Sequence, residues 1–264
     1  MPSPTTSVRL FGSPVDAYFD KQWGMNKVQA PQAWDVTTGS GEVNIAILDT
    51  GIDLDHPDLA AKIVSSINFG DSPNADDSYG HGTHCAGIAA ASTNNGVGVA
   101  GLGYDSTLMN VKVLRDNGSG YYSWVANGIT WAADNGAEVI SLSLGGSSAS
   151  STLENAINYA WDKGVVIVTA AGNNGNSNPF YPAYYANCIA VAGTDANDNL
   201  APGPTMAAGW MLLPPASAST PPSRIMAMVT RAAPLWPRRT SLGCQAWYSP
   251  SSQILMAMAG SMMR

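Results

Sequence analysis

The strongest constraint on the fold is an alternation of two kinds of segment between residues 43 and 193. The first kind is short, rich in β-branched residues and ends in Gly or polar residues, which is typical of parallel strands buried on both faces of a sheet. The second kind carries apolar residues three and four positions apart, as helices do. The predicted strands are 43–51, 107–114, 137–146, 164–173 and 188–193, and the predicted helices are 80–92, 123–136 and 151–164.

This order of segments predicts an α/β fold with a wound parallel sheet. The last two predicted helices finish at Gly136 and Gly164, as helices with a glycine C-cap do. Strand–helix–strand units of this kind are expected to have right-handed crossovers. In such sheets the functional site lies at the carboxyl ends of the strands.

The composition changes abruptly near residue 200. All 19 acidic residues and 7 of the 12 Lys and Arg residues lie before that point. Residues 201–264 contain no Asp, Glu, Asn, Lys or His, but they hold eight of the eleven Met and nine of the seventeen Pro residues. Because this stretch has neither strand nor helix periodicity, only the first part is interpreted as a native fold.

Composition also excludes several classes of protein. A pI near 4.7 and a charged fraction of only 12% argue against a nucleic-acid partner. No run of about 18 apolar residues is present, so no membrane partner is expected, and the amino-terminal residues lack the apolar run of a signal peptide. Three widely spaced cysteines, Cys85, Cys188 and Cys244, predict neither a disulfide framework nor a zinc site.

Three polar side chains follow predicted strands or open a predicted helix. Asp49 ends the first strand, His81 opens a helix in the sequence GHGTH, and Asn173 follows the fourth strand. Taken singly, the Asp is usually a turn residue and the His is usually structural. Together they supply an acid, a base and an amide donor for a developing oxyanion, which are the parts of a serine hydrolase.

Four motifs occur in a fixed order along the chain: DTGID, HGTHCAG, SLSLGG and AAGNNG. With these motifs the chain resembles the subtilisin family of serine peptidases, most closely its thermitase-like branch, over about residues 16–200. The resemblance implies a subtilisin-like three-layer α/β fold with a parallel central sheet, incomplete at the C-terminus. It also implies a secreted, monomeric endopeptidase that acts on polypeptides in an extended conformation.

The resemblance also assigns roles to individual residues. Asp49 is the triad acid, His81 the general base, Asn173 the oxyanion-hole amide, and His84 a structural residue. Cys85 matches the thiol-containing branch, and a buried apolar role is favoured for it over catalysis. Two segments match the sides of the cleft that pair with substrate: Gly118, Ser119 and Gly120 on one side, and Ser143, Leu144 and Gly145 on the other.

Calcium is the cofactor that the resemblance implies. The matching side-chain ligands are Asp16, Asp58 and Asn95, with the carbonyl groups of Thr93, Val97 and Val99 completing an all-oxygen shell. By itself the sequence TNNGVGV would be an ordinary glycine-rich turn. A second, weaker site formed by Asn68, Asp71, Asn74 and Asp76 and a solvated acidic loop are equally good interpretations of residues 68–76.

The nucleophile of the family is missing from the printed chain. Subtilases carry it in the sequence GTSMATPHVAG, on a turn into a long helix, and no such string occurs in residues 201–264. The serines Ser217, Ser219, Ser223 and Ser241 lack that setting. The triad is therefore expected to be incomplete and the chain inactive.

A different reading frame restores the motif. In this frame each codon consists of the last base of one printed codon and the first two bases of the next. At the junction of Trp236 and Pro237 the new codon can only encode Ala. The other junctions between residues 232 and 243 permit the remaining residues of GTSMATPHVAG. Met206 followed by Ala207 likewise forces Gly, within junctions that permit SWSNYGSWVDVAAPG from 201 to 216. One base lost near the codon for Ala201 explains both segments, by mutation or by a sequencing error.

Three hypotheses follow for the chain. In the first, the chain derives from the gene of an active subtilase. In the second, the chain as printed is an inactive subtilase that still binds calcium or peptide. In the third, it is a non-enzymatic α/β binding module with an interaction tail. The expected organisation is an amino-terminal extension or remnant of a propeptide at 1–15, a catalytic domain at 16–200, and an out-of-frame tail without a native fold at 201–264.

Overall fold

The computed structural model describes residues 12–173 and 178–197. Within them, six parallel strands form one sheet with the order β2-β3-β1-β4-β5-β6. The strands are β1 Asn44–Asp49, β2 Ile63–Asn68, β3 Thr107–Lys112, β4 Val139–Leu142, β5 Val166–Ala170 and β6 Ile189–Val191. The predicted tail at 201–264 lies outside the described residues.

Five α-helices accompany the sheet in the described part of the chain. They are α1 Trp23–Lys27, α2 Ala30–Trp34, α3 His81–Ala90, α4 Tyr122–Asp134 and α5 Ser151–Asp162, with short 3-10 helices at Phe19–Lys21 and Ala60–Lys62. None of the helices in the described ranges is long and apolar enough to cross a lipid bilayer.

The five predicted strands and three predicted helices are all present, so the predicted α/β class is confirmed. The edge strand β2 was not predicted, and its residues alternate between partly buried and exposed over most of its length. The continuous apolar runs of the central strands gave a stronger signal, because β1, β3, β4 and β5 are buried along nearly their whole length. Helices α1 and α2, five residues each, were also not predicted.

The two faces of the sheet pack against different helices. Ile45 and Ile47 of β1 point to the face covered by α3, in a cluster with small helix residues such as Ala86 and Ala89. Ala46 and Leu48 of β1 point to the opposite face, which α4 and α5 cover. Alternate residues of one strand therefore belong to two cores, which gives three layers.

The crossovers do not all have the same hand. The connections through α3, α4 and α5 all advance in the same direction across the sheet, but α3 lies on the opposite face from α4 and α5. The connection through α3 therefore has the opposite hand to the other two, and the prediction that every crossover is right-handed is wrong. The long segment 91–106 between α3 and β3 explains the exception, because it lets the chain return to the sheet from either face.

The predicted glycine ends of two helices are confirmed. Gly136 and Gly164 follow α4 and α5 with φ of 85° and 86°, in the left-handed region. The next backbone N–H groups, of Ala137 and Val165, donate back to Ala132 and Ala160 at 3.0 Å. This is the Schellman arrangement, and it turns the chain sharply from each helix into the next strand.

Candidate active site

Asp49 occupies the carboxyl end of the central strand. β1 lies between β3 and β4, and Asp49 is in register with Lys112 at the end of β3. Its residue surface is only 1% exposed. A carboxylate held this deeply needs hydrogen-bond donors, and the turn that follows supplies one, since the Thr50 N–H donates to Asp49 Oδ1 at 2.7 Å.

His81 is the first residue of α3, and its ring reaches Asp49. The distance from His81 Nδ1 to Asp49 Oδ1 is 2.7 Å, so the predicted contact between acid and base is present. Gly82 makes the approach possible, because a Cβ at that position would lie 2.1 Å from the Gly51 carbonyl oxygen. Any larger residue would push the start of α3 away from the end of β1.

The electrostatics of this pair favour a protonated imidazole. The carboxylate of Asp49 raises the pKa of His81 well above its ordinary value of 6.5, outweighing the opposing effect of burial. The His81 side chain keeps 29% of its surface exposed, whereas the Asp49 side chain keeps 1%. Oδ2 of Asp49 has no hydrogen-bond partner among the described residues. The imidazole of His81 is therefore partly accessible to solvent, while the buried carboxylate of Asp49 holds its Nδ1 atom in place.

Cys85 lies one turn further along α3, against the same pair. Its Sγ is 4.0 Å from His81 Nδ1 and 3.3 Å from Ser143 Oγ, and the residue is 6% exposed within the apolar cluster on this face. In the described ranges, Asp49, His81 and Cys85 form the one cluster of three His, Cys, Asp or Glu side chains whose ligand atoms all lie within 4.8 Å of one another. His84, on the same helix, has its pKa lowered by burial and by the charge of His81.

The other predicted site residues follow neighbouring strands. Asn173 lies three residues beyond the end of β5 and is exposed. Ser143, Leu144 and Gly145 continue directly from β4, and Gly146 forms an antiparallel bridge with Tyr181. All of these segments leave the carboxyl edge of the sheet, where Asp49 ends β1.

The segment Gly118–Gly120 lies in the turn between β3 and α4. Arg115 closes this turn, since its backbone N–H donates to the Ser119 carbonyl at 2.8 Å and its own carbonyl accepts from the Gly118 N–H at 2.9 Å. A Cβ at Gly118 would lie 3.1 Å from the Tyr79 ring, which belongs to the loop before His81. The turn is therefore in contact with the loop that leads to the base.

Comparison with known proteins decides the family. The model of the Subtilase family of peptidases matches residues 40–234. Thermitase from Thermoactinomyces vulgaris is 57% identical over 189 residues, covering 71% of this chain and 67% of thermitase. The chain belongs to the subtilase family. The prediction of a thermitase-like subtilase is confirmed.

Other relatives agree with this assignment. Subtilisin Savinase from Lederbergia lenta is 47% identical over 194 residues, covering 73% of this chain and 71% of the relative. The thermophilic serine proteinase from Bacillus sp. strain AK1 is 50% identical over 191 residues. These residues cover 72% of this chain and 48% of that relative. Among solved structures, a protease from Pseudoalteromonas arctica PAMC 21717 superposes with a TM-score of 0.68 at 36% identity, covering 74% of this chain and 69% of that one.

Two carboxylates from distant parts of the subtilase chain meet at the predicted calcium site. Asp16 is 5% exposed and Asp58 is fully buried. Oδ2 of Asp16 accepts from the Asn94 N–H at 2.8 Å, and Asn95 Nδ2 donates to Asp58 Oδ1 at 2.7 Å. Burial raises the pKa of Asp58, and the negative charge of Asp16 adds to this effect. Such a pair of buried acids is well suited to a hard divalent cation.

The loop around these carboxylates is closely fitted to them. A Cβ at Gly98 would lie 2.2 Å from Asp58 Oδ2, and the Val99 N–H donates to the same oxygen at 3.0 Å. Asn95 Oδ1 accepts from the Val97 N–H at 2.7 Å, which curls the loop. The residues present therefore fit an oxygen-coordinated cation.

The residues of the weaker candidate site have other partners. Arg115 donates to both oxygens of Asp71, at 2.8 to 3.1 Å, and this pairing lowers the pKa of Asp71. Asn68 bonds to Gly70 and Ser72. Oδ1 of Asn74 accepts from Asp76 N–H and Oδ1 of Asp76 from Leu54 N–H. Both interpretations of residues 68–76 stay predictions, because hydrogen bonds of the same kind also occupy the side chains of the first site.

Two residues near Asp49 were not predicted from the sequence to belong to the site. Lys112 is fully buried, donates to the Thr50 carbonyl, and pairs with Asp116 Oδ1 at 2.8 Å. Asp77 accepts hydrogen bonds from several groups around His81. A lysine in the mainly apolar run TLMNVKVL was a visible signal, because burying a charge is costly unless it is paired. Asp77 gave no comparable signal within its acidic loop.

Proposed function

We propose that this chain derives from a secreted, subtilisin-like serine endopeptidase that hydrolyses polypeptides with an Asp-His-Ser triad. One observation carries the proposal: His81 Nδ1 lies 2.7 Å from the buried Asp49 carboxylate, at the carboxyl edge of the parallel sheet. The family match supports the same activity.

Each residue of the site has a distinct role in this chemistry. Asp49 fixes the His81 tautomer that carries its proton on Nδ1, and stabilises the imidazolium. His81 Nε2 then accepts the proton of the serine hydroxyl as that oxygen attacks the peptide carbonyl carbon, and delivers it to the leaving amine. The Asn173 amide donates to the oxyanion that forms on the carbonyl oxygen.

The substrate binds as an extended strand between two segments of the chain. Ser143–Gly145 continues β4 beyond the sheet, and Gly118–Gly120 forms the opposite turn, near the loop that precedes His81. Main-chain hydrogen bonds supply affinity, and side-chain pockets supply specificity. The partners are therefore polypeptides, and the enzyme acts as a monomer.

The 264-residue chain itself is catalytically inactive in this proposal. The sequence GTSMATPHVAG is absent from it, whereas the shifted frame permits that sequence across residues 232–243. An acid–base pair without its nucleophile retains only the small acceleration of the oxyanion hole and of substrate binding.

A fluorophosphonate probe tests this proposal, because it labels only an activated serine. The 264-residue chain should remain unlabelled, and a chain with one base inserted at the codon for Ala201 should be labelled and hydrolyse peptides. In the restored chain, His81→Ala should abolish labelling. Labelling of the 264-residue chain, or a stop codon before the serine in the shifted frame, would refute the frame hypothesis.

A second function, calcium binding without catalysis, is supported by a separate observation. Asp16 and Asp58 place two buried carboxylates beside the loop 93–99. In this proposal Asp16, Asp58, Asn95 and the carbonyl groups of Thr93, Val97 and Val99 hold Ca²⁺. The ion neutralises the two acids and joins the amino-terminal segment to the loop that follows α3.

A further inference from the structure

The hydrogen bonds of Asp77 link the loop before His81 to the first turn of α3. Oδ1 accepts from the Tyr79 N–H at 3.0 Å, the Gly80 N–H at 2.8 Å and the Thr50 hydroxyl at 2.9 Å. Oδ2 accepts from the Thr83 N–H at 2.9 Å and the Thr83 hydroxyl at 2.6 Å. One carboxylate thus receives five donors from three parts of the chain.

Thr50 extends this network to both members of the acid–base pair. Its N–H donates to Asp49 Oδ1 at 2.7 Å, the same oxygen that contacts His81. Its hydroxyl accepts from the Gly82 N–H at 3.0 Å and donates to Asp77. Thr50 is 1% exposed, so water cannot easily replace these bonds.

The start of α3 depends on these external acceptors. Gly80 has no side chain to cap the helix. The second and third N–H groups of the helix, of Gly82 and Thr83, bond instead to Thr50 and Asp77. A helix start without acceptors is unstable, and a negative charge there is favourable.

We propose that Asp77 is a positioning residue that fixes the His81 ring relative to Asp49 by tying the start of α3 to the turn after β1. Asp77 accomplishes this through Thr50 and Thr83. This role rests on the proposed function of His81 as the general base. The Thr83 hydroxyl completes the link to the segment after β1, because it also accepts from the Asp53 N–H at 2.9 Å.

The substitution Asp77→Asn tests this role with little change of shape. Whichever way the amide is turned, its NH2 group faces at least one backbone N–H that the carboxylate accepted from, so at least one hydrogen bond is lost. The companion pair is Thr50→Val, which removes the hydroxyl link, and Thr50→Ser, which keeps it. Gly164→Ala, at the far end of α5, is a control for destabilisation alone.

The first measurement is the low-field NMR signal of the His81 Nδ1 proton in the full 264-residue chain. Asp49→Asn identifies the signal by removing it. Asp77→Asn and Thr50→Val should broaden or abolish it, whereas Thr50→Ser and Gly164→Ala should keep it. An unchanged signal in Asp77→Asn, with only a lower Tm, would show that Asp77 is merely a helix cap and would overturn the proposal.

The second measurement uses the frame-restored chain. Asp77→Asn should lower kcat by about 10²-fold with little change in KM, because displacement of the base affects the chemical step. An unchanged kcat in an active restored chain would also overturn the proposal. Should the restored chain lack peptidase activity, the proposed function fails, and the NMR signal still decides whether Asp77 positions the ring.

Discussion

At the scale of single residues, the Asp49–His81 pair makes the folded state sensitive to pH. The Asp49 carboxylate raises the pKa of His81 above 6.5 in the folded protein, and no such partner is held in place in the unfolded chain. The stabilisation is therefore fully present below pH 6.5 and is lost as the pH rises through the folded-state pKa. The neutral imidazole that the proposed base catalysis requires appears over the same interval.

The pH dependence gives the first prediction. The free energy of unfolding should decrease as the pH rises above 6.5, and Asp49→Asn should remove this contribution, because it removes the charge that raises the pKa of His81. Denaturant unfolding of both proteins between pH 5 and 9 measures the difference. Parallel stability curves for the two proteins would contradict the assignment.

The thiols give a second prediction at this scale. Burial raises the pKa of Cys188 to about 12, so its thiolate is scarce at neutral pH. Because the thiolate is the reactive form, iodoacetamide at pH 8 should modify Cys188 in the native protein far more slowly than in urea. Mass spectrometry of the peptide that contains Cys188 measures both rates. Equal rates would show that the site is open to solvent.

At the scale of secondary structure elements, the ends of the helices are set by local chemistry. Gly164 ends α5 with φ of 86°, and no atom lies within 4 Å of the position that a Cβ would occupy. Gly164→Ala therefore tests backbone conformation without a steric clash. It should destabilise the fold by about 1 kcal/mol, because a left-handed φ is costly for residues with a Cβ.

A matched control for that prediction is Gly41→Ala. Gly41 lies in a turn without a left-handed φ, and its added Cβ would have only the Asp105 carbonyl oxygen nearby, at 3.8 Å. Its Tm should stay the same or rise slightly, since alanine restricts the unfolded chain. A larger loss of Tm in Gly41→Ala than in Gly164→Ala would contradict the argument from φ.

Calcium gives the second prediction at the scale of elements. If Asp16, Asp58 and the loop 93–99 hold the ion only in the folded state, a hundredfold excess over Kd stabilises the fold by about 2.7 kcal/mol. Chelation should therefore lower Tm, and Asp58→Ala should abolish the dependence of Tm on calcium. Asp71→Ala, which removes a partner of Arg115, should keep that dependence. Identical melting curves with calcium and with chelator would exclude the site.

Elements that are buried were predictable from sequence, and elements at the edge were not. The runs 43–51 and 137–146 are rich in apolar and β-branched residues because both faces of β1 and β4 are buried. β2 pairs on one side only and exposes alternate residues, so its sequence resembles a loop. The handedness of the α3 connection depends on which face the helix covers, and no short-range pattern records that choice.

The site was predictable where its residues adjoin strand ends. Asp49 ends β1 just before the Thr50-Gly51 turn, and His81 begins α3 just after Gly80, so their motifs make both residues visible. Asp77 and Lys112 act through contacts with Thr50, which neighbours them in space and not in sequence. Such bonds depend on how α3 docks on the sheet, and the pattern of a single segment does not contain that information.

At the scale of the whole molecule, the described residues form a sheet with one helix layer on each face. The frame hypothesis implies that a further helix, the one behind the nucleophile, belongs to this core. Under this hypothesis, residues 201–264, which are rich in Met and Pro, stand in place of that helix. The hypothesis then predicts that the chain lacks the burial that the helix supplies, because a sequence whose pattern does not match the sheet does not replace it.

The last prediction concerns this missing burial. Inserting one base at the codon for Ala201 should extend the chain past Arg264, raise its Tm and keep it in the soluble fraction, because the restored helix closes the core. The 264-residue chain should be less soluble and melt at lower temperature. The serine of the restored motif is not the cause, so its replacement by Ala in the restored chain should keep the gain in Tm while abolishing hydrolysis. A restored chain no more stable than the printed one would show that residues 201–264 already complete the fold.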